Sequence, residues 1–128
     1  MKTKTYKSKI LWGISMSGLL GLSYWISRYF FFELHGMVQW PDLLAIVSLV
    51  IIVIASFFGD RIVPLATITG YLGGFILAMI FNTDGVDPGG GGTNNAWIIW
   101  GTFFGLSILT GFIFGVYLGR SNANAKQK

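Results

Sequence analysis

The sequence predicts an all-α membrane protein, a single bundle of four transmembrane helices with both termini on the cytoplasmic side. Three observations predict it. First, Leu43 to Gly59, Ile62 to Phe81 and Ala96 to Gly119 contain no charged side chain. A soluble domain of 128 residues has too much surface for its volume to bury three such runs. Second, 53% of the residues are hydrophobic and only 11% charged, against about 25% charged in soluble domains. Third, small residues recur every fourth position in the last two runs: Ala66, Gly70, Gly74 and Ala78, then Ser107, Gly111, Gly115 and Gly119, with Gly101 and Gly105 as a further pair. On a helix that spacing makes one narrow stripe, and small stripes in membrane helices let two backbones approach closely. Helices 3 and 4 are therefore expected to pack through GxxxG-type faces.

The first span is expected over about residues 10–30. Its basic start, Lys2, Lys4, Lys7 and Lys9, resembles the opening of a secretory signal. The apolar stretch continues through Tyr24, Trp25 and Ile26, however, and no A-x-A-like cleavage pair follows, so an uncleaved span is expected. Arg28 has two readings. One is a snorkelling arginine at the far interface, beside Tyr24, Trp25 and Tyr29 and paired with Glu33. The other is an anion or ligand contact inside the bundle.

Glu33 to Asp42 forms the first exterior connection, where Gly36 breaks the helix and Trp40-Pro41-Asp42 starts the next. Glu33 and His35 are two ligand types in one short loop, too few to define a metal site. The second span, about residues 42–58, is rich in Leu, Ile and Val and hydrophobic all round apart from Ser48 and Ser56. That places it toward lipid. Its β-branched content suits a strand, but an open strand leaves its backbone unsatisfied in lipid, so helix is predicted.

Gly59-Asp60-Arg61 is long enough only for a tight helical hairpin, which makes the second and third spans antiparallel neighbours. Its charges read as turn residues rather than a gate. The third span covers residues 62–81, with Pro64 tolerated in its first turn. Thr67 and Thr69 sit where a hydroxyl can return to the carbonyl one turn back. Residues 82–95, NTDGVDPGGGGTNN, read as a flexible exterior connector. Their oxygen ligands suit calcium, but the spacing is not that of an EF-hand, and no GK[ST] follows for phosphate. Trp97 and Trp100 restart the helix at the interface, and the fourth span covers about residues 96–118. Residues 120–128 are expected to fray as a polar tail.

Orientation follows from charge. Four spans put both tails and the Gly59–Arg61 turn on one side, which then holds eight of the nine basic residues, all but Arg28. The opposite side holds Glu33, Asp42, Asp84 and Asp87, four of the five acids. The positive-inside tendency places the basic side in the cytoplasm. The net charge of +4 is thus an orientation signal, not a nucleic-acid signal.

The chemistry for catalysis is sparse. Apart from Asp42 at the very start of the second, the spans hold no His, Asp, Glu or Lys, the single histidine is His35, and there is no cysteine. No hydroxyl has a base beside it in the sequence pattern, so no catalytic residue, metal ligand or cofactor is assigned. Gly18 to Tyr29, GLLGLSYWISRY, is similar to the first span of bacterial fluoride channels in carrying glycines ahead of an Arg-Tyr pair. The gap from Gly21 to Arg28 is longer than theirs, and Gly101-Thr102-Phe103-Phe104 does not match their filter segment, so no family is assigned. The missing intramembrane glutamate sets small multidrug exporters aside. The expected function is a non-catalytic membrane protein of the cell membrane, an accessory, regulatory or immunity-type subunit whose partners are the bilayer and either itself or a larger membrane protein. The alternative is an oligomeric channel or carrier, with Ser15, Ser17, Ser23, Thr102, Ser107 and Thr110 lining a polar path and Arg28 at its mouth. A holin-like protein is the weaker alternative.

Overall fold

Backbone groups in hydrocarbon find no water, so each apolar run closes its own hydrogen bonds as a helix. A computed structural model describes four: α1 (Lys2–Phe30), α2 (Trp40–Phe58), α3 (Ile62–Phe81) and α4 (Ala96–Ala125). It describes residues 2–30 and 39–125, with side chains over 6–29 and 39–122. Glu33, His35 and Gly36 lie outside the described residues. All four helices are long and apolar enough to cross a membrane, over Tyr6–Tyr29, Trp40–Phe58, Ile62–Phe81 and Ala96–Asn122.

Two helices are longer than their apolar runs. α1 begins at Lys2 rather than near residue 10, and α4 continues to Ala125 beyond Leu118. The polar tail read as frayed is therefore helical through Ala125. The physical reason is cooperative: an established helix adds residues without a new nucleus, and no Gly or Pro follows Gly119 in the described chain.

The α2–α3 turn is set by Gly59, whose φ of 77° is left-handed backbone that glycine adopts without a Cβ clash. The Asp60 N–H donates to the Ala55 carbonyl at 2.9 Å, closing the end of α2. Asp60 Oδ1 accepts from the N–H groups of Ile62 (2.8 Å) and Val63 (3.3 Å), two of the open donors of α3. Arg61 turns toward α1, where its guanidinium donates to Ser8 Oγ at 3.2 Å and lies 5.7 Å from the Trp12 ring centre.

The segment between α3 and α4 departs from expectation. The residues read as a flexible connector form a two-stranded antiparallel ribbon, β1 (Asp84–Val86) with β2 (Gly92–Asn94), registered Asp84 to Asn94 and Val86 to Gly92. Side-chain bonds offset the entropy of its glycines. Asp87 Oδ1 accepts from the N–H groups of Gly89 (2.9 Å) and Gly91 (2.8 Å). Asn94 Nδ2 donates to Asp84 Oδ1 at 2.7 Å, and Asn95 Oδ1 accepts from the Thr83 N–H at 2.7 Å. Asp and Asn side chains do here what a tight turn demands of the backbone.

α3 is the central helix. Half of its span is buried, against 17–28% for the other three. α1, α2 and α4 all pack against it. The core joins Met16, Leu20, Leu44, Ile52, Ile68, Tyr71, Phe75, Ala78, Trp100 and Phe104. α2 buries one stripe, Pro41, Leu44, Ser48, Ile52 and Ala55, and leaves Ile46, Val50, Ile54 and Phe57 exposed.

Candidate functional site

A cluster of polar side chains lies at the ribbon end of α1, α2 and α3. Tyr24, Ser27 and Arg28 fall three and four residues apart on α1, hence on one face. Opposite them, Pro41 occupies the first turn of α2, where its missing N–H breaks no helical bond. Asp42 follows it, where the positive helix end favours a carboxylate. Asp42 Oδ1 accepts from the Tyr24 hydroxyl at 2.8 Å and pairs with Arg28 Nε at 3.7 Å. Arg28 is thus neutralised by Asp42, a partner the sequence reading did not name; Glu33, the partner it did name, lies outside the described residues. One layer deeper, the buried Tyr71 of α3 donates its hydroxyl to the Pro41 carbonyl at 3.2 Å.

The α3–α4 seam carries the other candidate residues. Gly74 is the floor of a slot for Trp100: a Cβ there would stand 2.6 Å from Trp100 Cδ1 and 2.9 Å from its carbonyl oxygen. The indole fills that slot edge-on to Tyr71 and Phe75, with ring centres 5.2 and 5.4 Å away. Its Nε1–H donates to the Tyr71 carbonyl at 2.8 Å. Trp100 is accordingly fully buried: its ring packs inward against two aromatics with its one donor satisfied, rather than facing outward. Trp97, half exposed, keeps the outer position and meets Trp40 edge-on at 5.7 Å.

Gly70 faces Ser107, with 2.8 Å from its would-be Cβ to Ser107 Cβ, and Gly111 faces Ala66. Ala78 is buried in the core. Gly101 lies against the Trp40 ring and Gly115 against the Asp60 carboxylate, while Gly105 and Gly119 have open space beside them. The two stripes are therefore not equivalent along their lengths. Gly70, Gly74 and Gly111 sit where another side chain would collide; Gly105 and Gly119 face away.

Five hydroxyls turn back on their own helices. Ser15, Ser23, Ser27, Thr67 and Thr110 each donate to the carbonyl four residues earlier, at 2.8–2.9 Å. Ser23 is buried between helices, while Ser15, Thr102 and Thr110 lie on outer surfaces; these residues do not share one path within a single chain. Among the described residues, no group of three or more His, Asp or Glu is placed to hold a metal. The arrangement supplies an ion pair, a phenol bonded to its carboxylate, and a tightly packed aromatic seam.

Sequence reasoning missed Asp42 as the partner of Arg28, and Tyr71 and Trp100 as the polar-tipped centre of the core. A signal for the first existed, since both residues were assigned to the same end of neighbouring spans. No signal distinguished a buried indole from an interfacial one. Compared with known proteins, the chain matches no family model, no curated sequence and no solved structure.

Proposed function

We propose that this chain is a non-catalytic multi-pass subunit of the cell membrane, of accessory, regulatory or immunity type, with both termini in the cytoplasm. One observation carries the reading. The charges at the ribbon end of its helices are paired, Arg28 with Asp42, whose carboxylate also accepts from the Tyr24 hydroxyl. The outward faces are apolar, as along Leu109, Phe112, Ile113 and Val116 of α4. Such a molecule presents a shape and an apolar surface to a partner rather than a reacting group. In this reading the α3 and α4 stripes zip the two helices together in the bilayer, and the outer face of α4 meets the larger membrane protein. Extraction from native membranes in mild detergent, followed by mass spectrometry of what co-migrates, tests it. A stoichiometric membrane partner is expected, and recovery of the lone chain at native expression counts against the proposal.

Permeation is the second reading. Thr69, Ser107 and Thr110 border a groove of about 420 Å³ on the α3–α4 surface, which a second copy would have to close into a path. Purified protein at high density in liposomes then passes ions or small solutes, and a tight vesicle removes this reading.

A further inference from the structure

At the turn end of the molecule a groove of about 360 Å³ runs along the α1–α2 surface, bordered by Tyr6, Lys9, Gly13, Ser17, Val53 and Ser56 among others. From Lys9 to Ser17 it runs about 12 Å along α1 at the helical rise. Its floor and walls are almost wholly apolar, and among the described residues its only charged lining residue is Lys9. The Lys9 chain lies over Gly59, so close that a Cβ at Gly59 would stand 2.7 Å from Nζ. That seats the ammonium at the carboxyl end of α2, whose dipole is worth about half a negative charge and leaves the rest of the positive charge for an anion. Two further charges, Asp60 and Arg61, border the adjoining cleft behind Lys9 rather than the groove itself. Asp60 takes up the first amides of α3, and Arg61 bonds Ser8 beside the Trp12 ring. One helical turn before Gly59, the buried Ser56 hydroxyl has no hydrogen-bond partner.

We infer that this groove holds an acyl chain of an anionic phospholipid, with its phosphate on the Lys9 ammonium. An apolar slot open sideways between two membrane helices, with a single cation at its mouth, is complementary to a chain topped by a negative headgroup. The Ser56 hydroxyl lies just below the mouth, at the level where a phospholipid's ester carbonyls follow its phosphate. The inference rests on the membrane reading above. With the orientation proposed there, the lipid belongs to the cytoplasmic leaflet, whose anionic lipids are the natural source.

Native mass spectrometry of the full chain, offered phosphatidylglycerol and phosphatidylcholine with identical acyl chains, tests it. Phosphatidylglycerol adducts are expected to exceed phosphatidylcholine adducts about fivefold, the factor that about 1 kcal/mol per lysine implies. Lys9→Gln is expected to abolish the excess, and Lys7→Gln, on an exposed residue that does not line the groove, to leave it unchanged. Val53→Trp, on a side chain already 42% exposed, fills the groove without entering the core and is expected to lower retention of both lipids at unchanged thermal stability. Equal retention of the two lipids overturns the inference. So does equal loss in the Lys7 and Lys9 variants, which marks diffuse attraction, or undiminished retention in Val53→Trp. Failure of the membrane reading itself is visible earlier, as a chain that stays monodisperse without detergent.

Discussion

The α3–α4 seam and the α1–α2 seam join neighbouring antiparallel helices by different means. Along α3–α4, Gly70, Gly74 and Gly111 let backbone and side chain of the facing helix occupy the volume of a missing Cβ. Of the three glycines of α1, Gly13 alone makes such an approach to α2, where a Cβ would stand 3.0 Å from Ser56 Oγ, and Gly18 and Gly21 face open space. That seam relies on Met16, Leu20, Leu44 and Ile52, on the Arg28–Asp42 pair at one end, and opens into a groove at the other. The comparison teaches that glycine content alone says little about packing. α1 has three glycines and one close contact; α3 has three glycines, and all three meet a side chain of α4.

The strongest way to break this contrast is Gly74→Leu. The new side chain must displace Trp100 and with it the bond to the Tyr71 carbonyl. A loss of about 3 kcal/mol or more is expected from overpacking and the lost donor partner together, read as a collapse of thermal stability in detergent. An undisturbed melting curve would show that the slot is not needed. Gly111→Ala comes next, since its methyl falls on that of Ala66. A loss of about 1–3 kcal/mol is expected, and the double change Ala66→Gly with Gly111→Ala is expected to recover most of it. A double variant no better than the single one would mean that the two positions do not meet.

Smaller effects come from the other seam. Arg28→Gln removes the charge facing Asp42, on side chains 28% and 43% exposed. At that exposure a change of about 1 kcal/mol or less is expected, with no effect on growth or flux if Arg28 is structural. A loss of flux with intact stability would favour the permeation reading. The smallest effect is expected for Gly105→Ala, where nothing lies within 4 Å. It should leave thermal stability unchanged or slightly raised by the better helix propensity of alanine. If it instead dissociates a co-purifying partner, the open glycine on α4 lies in that partner's interface.

Much of the architecture was legible in the sequence because it depends on local composition. Apolar runs without charge must be helical in lipid, and the short Gly59–Arg61 link forces a hairpin whatever the rest of the chain does. The ribbon over Asp84–Asn94 was not legible. It depends on which side-chain oxygen finds which amide, and four successive glycines look like freedom until Asp87 binds two of their N–H groups. The candidate site was half legible. Arg28 stood out as a charge inside a span, but its neutralisation by Asp42 joins residues 14 positions apart across two helices.

The sequence by itself determined four spans, a tight turn between the second and third, and two stripes of small residues, because each follows from the kinds of residue present and their spacing. Only the tertiary structure decided which glycines are occupied and which are open. It also decided that Trp100 is a core residue and that Lys9 borders an apolar groove between α1 and α2. These depend on the rotation of each helix about its own axis, and that angle is set by the sum of many weak contacts rather than by any local rule.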